Sequence, residues 1–238
     1  MFDDLAAAKV AQYKGLFETP FITADVPDVA ELTGQLRATI KERRDNHPNA
    51  SRSSLGGWQS DTNMLQWGGE PARQLGILMV QMCNQFTQDI GQTDPDKPRF
   101  EWSAEMWANI CPPGTGHESH THPGALWSAV FYVDDGLAEK ESESNSGFLV
   151  VQDPRNPTPL MYKPDLRYKD ADGTVYRSDH RFSPKVGQII AFPSWVAHWV
   201  TPHLGQRERI SIALNTIALP ARIVADVSVA GGHAVDPE

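Results

Sequence analysis

The sequence predicts a mainly β protein with flanking helices, on three observations. From Gly187 to Asn215, the run GQIIAFPSWVAHWVTPHLGQRERISIALN reads as strand, turn, histidine, short loop and strand. Along its last piece Ile210, Ile212 and Leu214 fall on one face and Arg209, Ser211, Ala213 and Asn215 on the other, the period of two that marks a half-buried strand. Upstream, SAVFYV from Ser128 to Val133 is rich in aromatic and β-branched residues and is closed by the turn signal Asp134-Asp135-Gly136. Helical periodicity is confined to two earlier stretches, which are expected to pack on the β core.

In chain order, LFETPFI from Leu16 to Ile22 suggests an early strand. Asp28, with Glu31 three residues on, then reads as the N-cap of a helix to about Arg44, with Val29, Leu32, Leu36 and Ile40 at helical spacing. Residues 45–57 have loop chemistry. Pro71 opens a second helix through about Ile90, with Leu75, Leu78, Met79, Met82 and Phe86 as its buried face and Gly91 as its stop. Between the helices, Trp58 and Trp67 stand in an irregular segment that either caps a site or staples the helices to the sheet. In the stretch after residue 100, Trp102, Met106 and Ala108 alternate loosely with Glu105, Trp107 and Asn109. The acidic, serine-rich run from Gly136 to Ser146 reads as a solvated hairpin tip before the strand GFLVV, and 156–184 as an excursion over the core.

A chain of 238 residues suffices for one domain with a real core: a helical layer over 1–99, a β core over 100–217 and a fraying tail over 218–238. The formal net charge of −9 argues against a broad nucleic-acid surface. Cys83 and Cys111 lack a CxxC spacing and are expected to be free, buried thiols. The N-terminus has no basic segment leading an apolar core, and no stretch approaches the length of a membrane span, so a cytoplasmic protein is expected. Homodimerisation is compatible with the sequence.

The chemistry gathers in GTGHESHTHPGALWSAVFYV, from Gly114 to Val133, which holds three of the eight histidines. Residues two apart on a strand share a face, so His120 and His122 can present two imidazoles to one ion. Pro123 and Gly124 end that strand, and a metal at a strand end has room for open coordination positions, which catalytic metals need. Isolated histidine pairs are common on loops. His198, at the mouth of the second half, supplies a third imidazole, and Arg209 opens the following strand.

A histidine pair before a buried strand, a distal histidine closing GxxxxFPxxxxH and an arginine further on together resemble the iron(II)/2-oxoglutarate-dependent oxygenases. Trp107 to Ile110 (WANI), HTHPG, SAVFYV, GFLVVQDPR, VGQIIAFPSWVAH and RERISIALN are similar to a bacterial and phage branch known as "putative 2OG-Fe(II) oxygenase". The similarity is specific over residues 100–216, and GLFETPF and GGWQS extend it over most of the chain. It implies a double-stranded β-helix, the jelly-roll or cupin-like barrel, with the two N-terminal helices packed on it. It also implies Fe(II) as cofactor and 2-oxoglutarate as cosubstrate, with oxidative decarboxylation to succinate coupled to attack on a C–H bond of a small molecule or side chain. In that frame Arg209 pairs with the distal carboxylate of 2-oxoglutarate and Ser211 assists; Trp195 and Trp199, which flank His198, either wall the site or, for at least one of them, pack in the core.

One departure stands out, because the family's metal triad is two histidines and a carboxylate, and this chain has His122 where the carboxylate falls. The resemblance favours His120, His122 and His198 as metal ligands. Glu118 with His120 offers a carboxylate at the same spacing as an alternative, and His117 is expected in a supporting or solvated position. Arg207 rivals Arg209 on the same strand parity. The cupin pattern G(X)5HXH is also met by Gly114, His120 and His122, although its glutamate is missing and Trp195 and Pro202 replace its later glycine and asparagine. A three-histidine cupin enzyme indifferent to 2-oxoglutarate, and a barrel that binds without turnover, are therefore the competing readings.

Overall fold

The computed structural model describes residues 14–50, 52–94, 96–137, 146–155, 163 and 165–221. The sequence readings for the two termini, the acidic run and most of 156–164 fall outside them. Among the described residues eleven strands form two antiparallel sheets. In the first, the order is β1 (Ile22–Asp25), β9 (Gln188–Pro193), β6 (Trp127–Asp134), β11 (Arg209–Pro220), β4 (Phe100–Cys111) and β3 (Trp58–Gln59). In the second it is β2 (Ser54–Leu55), β5 (Gly116–His120), β10 (His198–Val200), β7 (Leu149–Gln152) and β8 (Asp179–Phe182). Among the described residues the helices that precede the long strands are α1 (Ala30–Asn46), the single turn α2 (Met64–Trp67) and α3 (Gly69–Gln85).

Strict alternation along the four long strands divides two environments. Met106, Ala108 and Ile110 of β4, Ala129, Phe131 and Val133 of β6, Ile189 and Ala191 of β9, and Ile210, Ile212 and Leu214 of β11 all face the helices. There they meet Leu36 and Ile40 of α1 and Leu75, Met79 and Cys83 of α3. Each of the buried leucine, isoleucine, valine, phenylalanine and methionine side chains among these contributes about 1.5–3 kcal/mol of hydrophobic stabilisation. On the opposite face, Tyr132, Ile190 and Phe192 of the first sheet meet Leu149 and Val151 of the second, so the two sheets face one another across an apolar layer. This is the two-sheet jelly-roll arrangement, with helices on its outer face.

The sheet alternation follows the sequence, and the helix details depart from it. Asp28 does not cap α1: it takes a left-handed φ of 48°, which aspartate tolerates, and Val29 stands at the N-cap without a side-chain hydrogen bond. Helix α3 ends at Gln85 rather than near Ile90. Its buried face is Ala72, Leu75, Gly76, Met79 and Cys83, whereas Leu78 and Phe86 are 41% and 58% exposed. The early strand begins at Ile22, later than the apolar run suggests. Strands β2 and β3, drawn from stretches read as loop, join β1 in extending the sheets. Trp58 joins the core and Trp67 packs against it while its Nε1 donates to Asp61, so this segment staples the helices to the sheet. Among the described residues no helix is long and apolar enough to cross a membrane.

Candidate metal centre

Strand β10 lies between β5 and β7, with His198 directly opposite His120. The next aligned pair is Val200 with His117, so two steps on β10 match three on β5. That irregularity is a bulge, and it changes which residues of β5 face inward. His117 and His120, three apart, both line the cavity between the sheets, and the Glu118 side chain is left exposed outside the histidine cluster. Gly116 permits the close pairing, since a Cβ there would meet the Val200 carbonyl oxygen at 2.5 Å.

His122 is not on the strand. β5 ends at His120, and Pro123 and Gly124, the latter at φ 91°, turn the chain. The loop is fixed instead by the β9–β10 turn: the His122 N–H donates to the Ser194 carbonyl at 2.9 Å and the Ser194 N–H to the Leu126 carbonyl at 3.1 Å. These bonds carry His122 to the other two imidazoles. Ring centroids lie 4.3 Å apart for His120 and His198, 5.0 Å for His120 and His122, and 5.1 Å for His122 and His198. Candidate ligand atoms of all three fall within 4.8 Å of one another.

Hydrogen bonding orients two of the rings for coordination. His120 Nδ1 lies 2.7 Å from the Glu118 carbonyl and His198 Nδ1 2.9 Å from the Val196 carbonyl. A carbonyl only accepts, so Nδ1 carries the proton in both and Nε2 turns a lone pair toward the cluster. Nε2 of His122 and of His198 are 3.3 Å apart, a spacing that calls for a proton or a cation between them. Burial, reinforced by the neighbouring His120, pushes the His198 imidazole down to about 3 and that of His122 to about 4. Both are neutral at physiological pH, the state a metal requires.

These depressed values also predict an acid sensitivity of the metal-free protein. A histidine whose folded pKa lies below its unfolded value near 6.5 adds stability above that pH and loses it as the pH falls toward the folded value. The Tm of the chelated protein should therefore fall between about pH 6.5 and pH 4, and fall less in His198→Gln. Identical pH profiles for the two proteins would contradict this origin.

Beyond the histidines, the cavity ends at Arg209, the first residue of β11 and only 1% exposed. Its Nη1 donates to Ser211 Oγ at 3.3 Å and its Cζ lies 5.1 Å from the centre of the Tyr132 ring. Among the described residues no carboxylate is within ion-pair distance of it, and its Nε has no partner. The buried Tyr132 hydroxyl and the Asn109 Oδ1, in the same cavity, also lack hydrogen-bond partners. A buried cation with no counter-charge among the described residues is costly, and of the three groups the two donors, Arg209 Nε–H and the Tyr132 hydroxyl, fit an anionic ligand. Arg207, by contrast, has a side chain 57% exposed and reaches Asp134 at 3.4 Å and Asp135 at 3.7 Å.

The remaining site residues separate into those the structure brings together and those it does not. Trp195 is 55% exposed, and neither it nor Trp199 lines the cavity. Trp107, Tyr132 and Phe192 supply the aromatic walls instead, with Trp107 5.7 Å from His122 and Phe192 4.8 Å from His198 between ring centres. Their signal in the sequence is parity: Trp107 and Asn109 pair with Ala213 and Ser211, whose inward face was legible. His117 is buried rather than solvated, between Ser53 Oγ at 3.3 Å and Cys111 Sγ at 3.4 Å. Burial, then Arg209 and His120, holds its imidazole down to about 3. Cys83 and Cys111 are free and buried, as expected.

Facing β-sheets thus bring three imidazoles together, as a candidate metal site, beside a buried arginine that has no counter-ion among the described residues. Residues 105–215 match the family model described as "Putative 2OG-Fe(II) oxygenase", a family whose cofactor is Fe(II) and whose cosubstrate is 2-oxoglutarate. No curated protein sequence matches the chain. Among solved structures, a Pseudomonas putida prolyl-4-hydroxylase is similar at 21% identity and a TM-score of 0.56, over 90% of this chain and 95% of that one. A Trichoplax adhaerens prolyl hydroxylase, solved with a hypoxia inducible factor peptide, has 12% identity and a TM-score of 0.55, covering 83% of each chain. The α-ketoglutarate-dependent epimerase SnoN from nogalamycin biosynthesis has 10% identity and a TM-score of 0.55, covering 92% of this chain and 86% of its own. At these identities the likeness is one of fold.

Proposed function

We propose that the chain is an Fe(II)/2-oxoglutarate-dependent dioxygenase of the cytoplasm that hydroxylates a small molecule or a side chain. His120, His122 and His198 hold the metal, leaving coordination positions for the cosubstrate and O2. When bound, Fe(II) with 2-oxoglutarate supplies oxidative decarboxylation to succinate coupled to attack on an unactivated C–H bond. The remaining work is positional. Arg209 presents its planar fork to the distal carboxylate, Ser211 supports the fork, and the Tyr132 hydroxyl is placed to donate to the same carboxylate. Trp107 and Phe192 keep water from the metal side of the cavity.

The observation that carries this reading is the buried Arg209, which has no counter-ion among the described residues. A cupin dioxygenase or isomerase with three histidines has no use for a fixed cation there, whereas a dicarboxylate cosubstrate does. The experiment is succinate formation from 2-oxoglutarate by the purified protein with Fe(II) and O2 and no added prime substrate. Slow, iron-dependent succinate production is expected. Metal-dependent activity indifferent to 2-oxoglutarate would support the cupin reading, and metal binding without any turnover the silent barrel.

A further inference from the structure

Of the three clustered histidines, His122 is held by a different kind of group. His120 and His198 face backbone carbonyls, which fix the proton on Nδ1. The Nδ1 of His122 faces a side-chain amide, lying 3.4 Å from Nδ2 of Asn215. Asn215 is itself seated: it is buried on the cavity face of β11, and its Oδ1 accepts from Ser128 Oγ at 2.9 Å across the strand pair. A primary amide exchanges donor and acceptor on a half-turn, and a serine hydroxyl can follow in either sense.

The two settings of that amide give His122 opposite roles. With Nδ2 toward the ring, Nδ1 accepts and the proton sits on Nε2, where it can bridge the 3.3 Å gap to His198 Nε2 and close the cluster without a cation. With Oδ1 toward the ring, Nδ1–H donates, Asn215 Nδ2 donates to Ser128 Oγ, and Nε2 offers its lone pair to a metal as His120 and His198 do. We propose that Asn215, seated by Ser128, is the positioning residue that decides whether His122 serves as the third ligand. The proposal rests on the three-histidine metal site proposed above, and it gives this chain a local counterpart to the imidazole that stands where the family has a carboxylate.

The test is Co(II) titration of the full chain, followed by the visible absorption of the bound ion. Asn215→Ala is expected to weaken binding about tenfold or more, the scale of losing a partner that orients a ligand. Asn215→Asp, whose carboxylate can only accept, should bind as tightly as the wild type. In a His122→Ala background Asn215→Ala should change affinity less than about twofold, because its effect passes through His122. Wild-type affinity in Asn215→Ala, or an equal loss with and without His122, would overturn the assignment to Asn215. A His198→Ala protein that binds as well as the wild type would instead overturn the three-histidine site, and the proposal with it. Should Asn215→Ala fail to fold, ¹⁵N spectra of the Zn(II)-loaded wild type decide the matter: His122 protonated at Nδ1 is expected, and protonation at Nε2 would overturn the proposal.

Discussion

Replacing Arg209 with alanine is expected to raise the KM for 2-oxoglutarate in the succinate assay about tenfold to a hundredfold, while Arg207→Ala changes it less than about twofold. The contrast follows from burial. Arg209 is 1% exposed with no counter-ion among the described residues, so a carboxylate bound there would make charge-assisted bonds sheltered from solvent, each worth about 1.5–3 kcal/mol. Arg207 is half-exposed and already neutralised by the buried Asp134 and the partly exposed Asp135, and it lies outside the cavity lining. Arg209→Lys should recover only part of the loss, because a point charge cannot reproduce the fork. Equal effects of the two alanine substitutions would sink the assignment of the anion pocket.

His198→Ala is expected to weaken Fe(II) binding at least about a hundredfold and to abolish succinate formation at micromolar iron, since even the loss of a supporting partner can cost that much. The control is His117→Ala. That residue is as buried and lines the same cavity, yet it bonds Ser53 and Cys111 and lies outside the cluster, so its loss should cost iron affinity less than about tenfold. Comparable losses of iron affinity in the two variants would contradict the ligand set.

Much of this site was legible because a strand's parity is a local property. Arg209 and Ser211 could be turned inward from the alternation of RISIALN alone, and SAVFYV could be read as buried without knowing its neighbours. What escaped depends on pairing. The bulge in β5 exists only relative to β10, so the exposure of Glu118 and the burial of His117 had no signature in GHESH. His122 seemed to share a strand with His120, whereas its position comes from Ser194, far along the chain. On α3, Leu78 and Phe86 fit an apolar stripe as well as Ala72 and Cys83 do, and the sheet underneath chose between them. Trp107 and Asn109 became readable as cavity residues only through their pairing with Ala213 and Ser211.

The most direct measurement is an anaerobic titration of the Fe(II)-loaded protein with 2-oxoglutarate, monitored for the weak visible charge-transfer absorption of a keto acid chelated to Fe(II). The band should appear and saturate in the wild type, be absent in His198→Ala, and require much more 2-oxoglutarate in Arg209→Ala. Iron that binds tightly to the three-histidine site but gives no such band would contradict the oxygenase reading and leave a metal centre that does not use this cosubstrate.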